Sequence, residues 1–374
     1  MKATINRLEL LPLAKAAESI VPNTTSIEEL KCLRLEMGSN GMGTIRATNL
    51  EVALEQRFPA DIQEQGTMII NARMFTDMLT LLGGDTVTLS GEDGKRLEVV
   101  SGDAYYSIPL LSSGNYPRME IPFPEDTVVV SGIPSIAKRT VFAVAEDENR
   151  PLMRCVNLIF SSNGLRAVSC DGFRLVSAKG ESKSAASISM MVPASSLEKL
   201  GRLLENKDEL YVGTTGQNIV FTKENFVFSA RLMNGKRIDA DTMLGSVKSS
   251  FTILTDTAAL KSAVASVTSV AGDGTIFSLR FQGGRLWVSC ESESGTSTQE
   301  ISVVPLSGDP SGEYWYQHQQ LSECLRVLGG TLMLEVGQNG VLLMRTDDLV
   351  CLQTAKRKPT VLKRAEASGP AKAA

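Results

Sequence analysis

Apolar positions along the chain recur with two spacings, and the two alternate in blocks. LPLAKAAESI, PSIAKRTVFAVA and TAALKSAVASV place apolar residues three and four apart, the spacing of one buried helix face. Each is followed by a run in which apolar and polar residues alternate, broken by a polar turn: TIRATNLEVALEQ, GLRAVSCDGFRLVSAK and RLWVSCESESGTSTQEIS. Period-two alternation predicts half-buried strands. A second kind of block begins at Met68, Ser189 and Glu313, and reads strand, helix, then two or three strands. Superposing Phe75, Leu197 and Leu321 aligns its helices, and in the first kind of block Asn49, Asp171 and Glu291 occupy matching positions. The predicted helices span 12–20, 74–82, 134–145, 195–205, 257–270 and 319–328. Asn40-Gly41, Asp93-Gly94, Asn163-Gly164 and Asn339-Gly340 sit between strand-like runs and predict tight hairpin turns.

The blocks repeat with a period of about 120 residues, which predicts three copies of one domain instead of a solenoid or a propeller. The fold class is α+β: three tandem domains, each with two helices packed on antiparallel sheets. The expected boundaries are 1–124, 125–248 and 249–355, set by the Pro-rich IPFPED and by GSVKSS, with a flexible basic tail at 356–374. Three like domains suggest an arc, and an arc with complementary ends closes into a symmetric ring.

Composition narrows the chemistry. Of the 374 residues 43% are hydrophobic and 21% charged, a globular balance with material for several cores. No apolar run reaches the roughly 18–20 residues that span a bilayer. Arg7, Glu9, Lys15 and Glu18 interrupt the start as no secretory signal would. A cytoplasmic protein is expected, and the six scattered cysteines are expected as thiols. His318 is the only histidine, which removes most Ser-His-Asp, Cys-His and zinc schemes. Asp239 with Asp241 and Asp347 with Asp348 lie beside turn-like sequence and read as solvated. GEDGK at 91–95 lacks the phosphate-loop spacing, and Ser169-Cys170-Asp171 has no histidine nearby in sequence. No catalysis, metal or cofactor is expected.

Charge is unevenly spread. The net is −4, but residues 356–374 carry +5, so residues 1–355 carry −9. The six helical spans sum to +2. That sum is also the ordinary balance of solvated helices carrying mixed charge.

Several stretches carry a family resemblance. MKATINRLELLPLAKAA, ATNLEVALE, IINARMFTDML, NRPLMRCVNLIF, AVSCDGFRLVSAKG and ENFVFSARLMNGKRID occur in the order and spacing of the bacterial sliding clamps, the β subunits of DNA polymerase III. The chain resembles that family over residues 1–355. The resemblance implies a head-to-tail homodimeric ring that encircles double-stranded DNA without reading its sequence. It implies a non-enzymatic processivity factor of the nucleoid, with DNA polymerase, a clamp loader and other clamp-binding-motif proteins as partners. It implies DNA-facing cations at Lys15, Arg73, Lys138, Arg139, Arg150, Lys199, Arg202, Lys261 and Arg326. It implies a client-peptide pocket built from Met153, Cys170, Gly172, Phe173, Arg174 and Leu175. Ile238, Thr242 and Met243 on a linking segment and Leu352 and Gln353 on the last strand complete that pocket. It implies a subunit interface with Met74, Tyr106 and Ile108 on one side and Ser269, Val270 and Ile301 on the other.

The chain also departs from the family pattern. Asn49 and Asn71 stand where the family has Asp and Pro, Phe173 where it commonly has His, Ile238 for a usual Pro and Thr242 for a usual Arg. TTSIEEL stands where a loop arginine is usual, and CLQTAKRKPTVLKR replaces the family's M-P-x-R-L ending. The competing expectation is a clamp-fold scaffold that binds protein partners without encircling DNA.

Overall fold

The structure, a computed structural model, describes residues 1–359 except 119–120, 185–186, 270–274 and 293–294. It divides into two compact units. One comprises Met1–Ser169 and Ala178–Ile238, the other Cys170–Ser177 and the chain from Asp239 onward.

Four helix starts are set by the side chain before them, Asn6, Asn71, Asp239 and Asp256. α1 (Arg7–Ile20) begins at Asn6, whose side-chain oxygen accepts from the backbone N–H groups of Leu8 and Glu9. It buries Leu10, Ala14, Ala17 and Ile20, and Pro12 sits inside it. α2 (Ala72–Leu81) begins at Asn71, whose Oδ1 accepts from Met74 N at 3.0 Å. The Asn71 departure thus supplies a cap that a proline side chain cannot. α3 (Ile133–Thr140) and α4 (Ala194–Leu203) complete the helices of the first unit. α3 stops earlier than its sequence suggests. It passes into a 3₁₀ turn at Val141–Ala143, where Thr140 and Val141 bring consecutive β-branched side chains. α1 packs on α2, α3 on α4, and α1 also touches α4.

In the second unit α6 (Thr257–Thr268), capped by Asp256, packs on α7 (His318–Val327). A short helix that periodicity did not reveal, α5 (Ala240–Gly245), precedes them. Its cap Asp239 accepts from both the backbone N–H and the hydroxyl of Thr242, at 3.0 and 2.7 Å.

The first unit holds a five-stranded antiparallel sheet whose last strand is Ala104–Pro109. It also holds a nine-stranded sheet that bridges distant sequence. There Phe226–Arg231 pairs with Val52–Pro59, with Val227 opposite Glu55, and Gly66–Asn71 closes the far edge. In the second unit residues 174–177 lie beside Leu349–Gln353, then Leu342–Arg345, Thr331–Gly337 and Ser249–Asp256. A four-stranded sheet runs from Gly295–Ser302 to Ser311–Gln317. The four expected hairpin glycines, Gly41, Gly94, Gly164 and Gly340, all have φ between 70° and 101°, the left-handed region that such turns require. Both units combine helices with antiparallel strands, the α+β class expected from the sequence.

Candidate functional site

The turn before strand Arg174–Gly180 is built by Asp171. Its carboxylate accepts from Phe173 N and Arg174 N, both at 2.8 Å, while Gly172 takes φ 93°. The turn folds Arg174 back so that its Nε donates to Asp171 Oδ2 at 2.8 Å. Its Nη1 donates to Glu323 on α7 and, at 3.4 Å, to the Gln320 carbonyl. Arg174 is buried, and burial alone would lower its pKa. The Glu323 hydrogen bond and the Asp171 and Glu323 charges outweigh that and hold it protonated. Two carboxylates around one guanidinium make a closed tie between strand and helix.

Around this tie the expected pocket residues separate by exposure. Gly172 is exposed and Phe173 is 48% exposed, with the Lys356 ammonium 3.9 Å from its ring centroid. Thr354 N donates to the Phe173 carbonyl at 2.8 Å, which fixes the last strand against the turn. Thr242 and Met243 on α5 are exposed, Thr242 being engaged in the cap. Cys170, Leu175 and Leu352 are buried, and burial raises the Cys170 thiol. Gln353 is fully buried. Its Nε2 donates to Gln320 Oε1 at 3.0 Å, and its own Oε1 has no partner among the described residues. Met153 and Ile238 belong to the first unit and the other nine positions to the second. Met153 is half-buried in the turn Pro151–Arg154, its carbonyl accepting from Ala145 N. Sequence reasoning missed Glu323 and Asp171 as partners of Arg174. The readable signal was Asp171-x-x-Arg174 together with the single acidic residue of α7.

The expected DNA-facing cations fall into three states. Lys15, Lys138, Lys261 and Arg326 are exposed on helices, with no ion pair among the described residues. Arg73, Arg150 and Arg202 pair with Asp77, Asp147 and Glu198 in exposed contacts within one turn. Arg139 and Lys199 are committed to carbonyls. Arg139 donates to the Lys179 carbonyl, and Lys199 to Ser19 and Ile20 at the C-terminus of α1, where the helix dipole favours a cation. Burial lowers the Lys199 pKa.

Of the expected interface residues, Tyr106, Ile108 and Ile301 lie on edge strands of two sheets. Ala104–Pro109 ends its sheet. On it Ile108 lies opposite the buried Leu97 and is itself buried, Tyr106 is half-buried, and Tyr105 is 61% exposed. Met74 is exposed on α2. In the second unit Ile301 lies buried in Gly295–Ser302, the edge of the four-stranded sheet, and Ser269 caps the end of α6. Val270 lies outside the described residues, as does the tail from 360. No helix among the described residues is long and apolar enough to cross a membrane.

Known proteins share this fold. Residues 1–120 match the family model for the DNA polymerase III beta subunit N-terminal domain, and residues 128–237 the model for its central domain. A beta sliding clamp of Bacillus subtilis is 23% identical over 262 residues, 65% of this chain and 68% of that protein. One from Staphylococcus epidermidis is 24% identical over 248 residues, 63% of this chain and 65% of that protein. The aligned stretches therefore span about two thirds of these relatives. In structure, the Bacillus subtilis DNA polymerase sliding clamp has a TM-score of 0.90 at 21% identity, covering 96% of this chain and 100% of that one. A sliding clamp of Pseudomonas aeruginosa bound to griselimycin has a TM-score of 0.87 at 22% identity, with the same coverage. The fold is that of a DNA clamp. The chain belongs to the DNA polymerase III beta subunit family, the β sliding clamps, as a divergent member.

Proposed function

We propose that this protein is a non-catalytic sliding clamp: two copies join head to tail, encircle duplex DNA and tether a polymerase by topology. The observation that carries the reading is family membership along residues 1–237 joined to a clamp fold over 96% of the chain. Three domains, 1–124, 125–248 and 249–355, form each half of the ring. Unpaired backbone along Ala104–Pro109 would pair with Gly295–Ser302 of a second copy, satisfying edge groups that otherwise invite aggregation. Lys15, Lys138, Lys261 and Arg326, exposed and without an ion pair among the described residues, supply diffuse contacts to phosphate, which position a duplex without reading it. Such tethering raises local polymerase concentration with no chemistry of its own. The protein acts in the cytoplasm at the nucleoid.

Client proteins would dock an extended peptide at the surface of Gly172, Phe173, Thr242 and Met243, with Arg174 holding the turn beneath. A Q-L-x-L-F peptide should bind the wild type and lose affinity to Phe173→Ala and Met243→Ala variants. No binding by the wild type would remove these positions as the client site. For the ring, light scattering at micromolar concentration should give a dimer, and particle images a central opening of about 20 Å or more, wide enough for B-form duplex. A persistent monomer, or a particle without an opening, would overturn the clamp reading. Peptide binding alone would then leave a clamp-fold scaffold.

A further inference from the structure

On one face of the nine-stranded sheet, neighbouring strands bring unlike numbers of charges together. Arg34 lies opposite Arg46, Arg46 opposite Glu55, and Glu55 opposite Val227, one row across four strands. Glu36 accepts from Arg46 Nη1 at 3.0 Å and from Arg34 at 3.3 Å. Glu55 accepts from Arg46 Nε at 2.7 Å and from Arg57 at 2.9 and 3.1 Å. Three guanidinium groups thus share two carboxylates. Arg118 faces the same groove, is exposed, and has no partner among the described residues. Among the described residues Arg34 donates one long bond, to Glu36, and its buried Nε has no acceptor.

Like charges directly opposite across a sheet are destabilising. Four arginines against two glutamates leave +2 among the described lining residues of a groove of about 610 Å³, on a body that carries −9. That volume is within the range of ligand pockets. One wall is the connector Ile121-Pro122-Phe123, with Phe123 63% exposed, and Val227 lies below. The groove therefore offers forked donors that match carboxylate geometry beside an apolar shelf.

We propose that this groove binds a short acidic peptide segment of a partner protein, its carboxylates on Arg118, Arg57 and Arg34 and an apolar or aromatic side chain on Phe123. The inference stands on this cluster alone and does not depend on ring formation. A nucleic acid fits less well. Glu36 and Glu55 line the groove and oppose a continuous phosphate backbone, and the acidic body around it repels one. Separate carboxylates spaced along a peptide can reach the arginines between those two glutamates.

The test uses the full-length protein and a fluorescein-labelled EEDYDEE peptide, read by fluorescence polarisation at low salt. The wild type should bind saturably, and the neutral QQNYNQQ peptide should not. An Arg57→Ala/Arg118→Glu variant should weaken binding by about tenfold or more, the loss of two charge-assisted contacts. Phe123→Ala should weaken it by about threefold through the lost apolar contact. Circular dichroism of the variants should match the wild type, because all three side chains are exposed. No saturable binding, equal binding of the neutral peptide, or undiminished binding by the double variant would overturn the proposal. Stoichiometric displacement by inorganic phosphate or by a duplex oligonucleotide would also overturn it, in favour of a phosphate site.

Discussion

The Arg174 tie and the Arg34–Arg46–Arg57 row are made of the same groups, yet they differ in stoichiometry. At Arg174 two carboxylates, Asp171 and Glu323, enclose one buried guanidinium, and the cluster is closed. In the row, Glu36 and Glu55 serve three guanidinium groups and a fourth stands nearby, so the cluster stays open to an added anion. An ion-pair cluster acts as a brace when anions match or exceed cations and as a receptor when they fall short. Counting charges in the cluster separates the two roles before any ligand is known.

The contrast can be broken most sharply at Arg174. Arg174→Ala strands two mostly buried carboxylates, and breaking a buried pair costs about 3–5 kcal/mol. Urea unfolding should show that loss, and a change below about 1 kcal/mol would mean the brace is not closed. Next in size is Glu55→Gln in the row, expected to cost about 1.5–3 kcal/mol because two arginines lose a charged acceptor. Burial raises the Glu55 pKa, but hydrogen bonds and charge from Arg46 and Arg57 more than offset it, holding Glu55 below its ordinary 4.5. Its stabilising contribution is therefore complete above that value and is lost as pH falls through the lower folded pKa. Glu55→Gln should accordingly flatten the acid limb of the stability–pH curve. Smaller still, Arg34→Gln removes a like charge opposite Arg46. It should leave stability unchanged or raise it by about 0.2–1 kcal/mol, seen as a higher melting temperature. The smallest effect marks the surface baseline: Arg202→Ala breaks the exposed pair with Glu198 and should cost no more than about 0.5 kcal/mol.

Local signals carried much of this fold. Three- and four-residue spacing located the helices on which Leu10, Phe75, Leu197 and Leu321 are buried, because a helix that packs on a sheet must show one apolar stripe. Asn-Gly and Asp-Gly pairs located four hairpin tips, because few other residues accept positive φ. The cap-dependent helix α5 escaped, since six residues are too few to show a period. The Asp171 turn was visible in sequence, but its reach to Glu323 was not, since that contact joins residues 149 apart. The arginine row was equally hidden. Arg34, Arg46 and Val227 become neighbours only through strand register, which one sequence does not print. Among the expected DNA-facing residues, positive charge was legible, but the diversion of Lys199 to the end of α1 was not.

The pairing of Val52–Pro59 with Phe226–Arg231 has a consequence for how the chain is born. Roughly 170 residues separate the two strands, a loop whose closure is entropically slow and must await its far end. At about 5–20 residues per second, translation leaves the earlier strand without its second neighbour for roughly 10 to 35 seconds. Through that interval the nascent N-terminal half offers a bare β-template to every other unfinished copy on the same polysome.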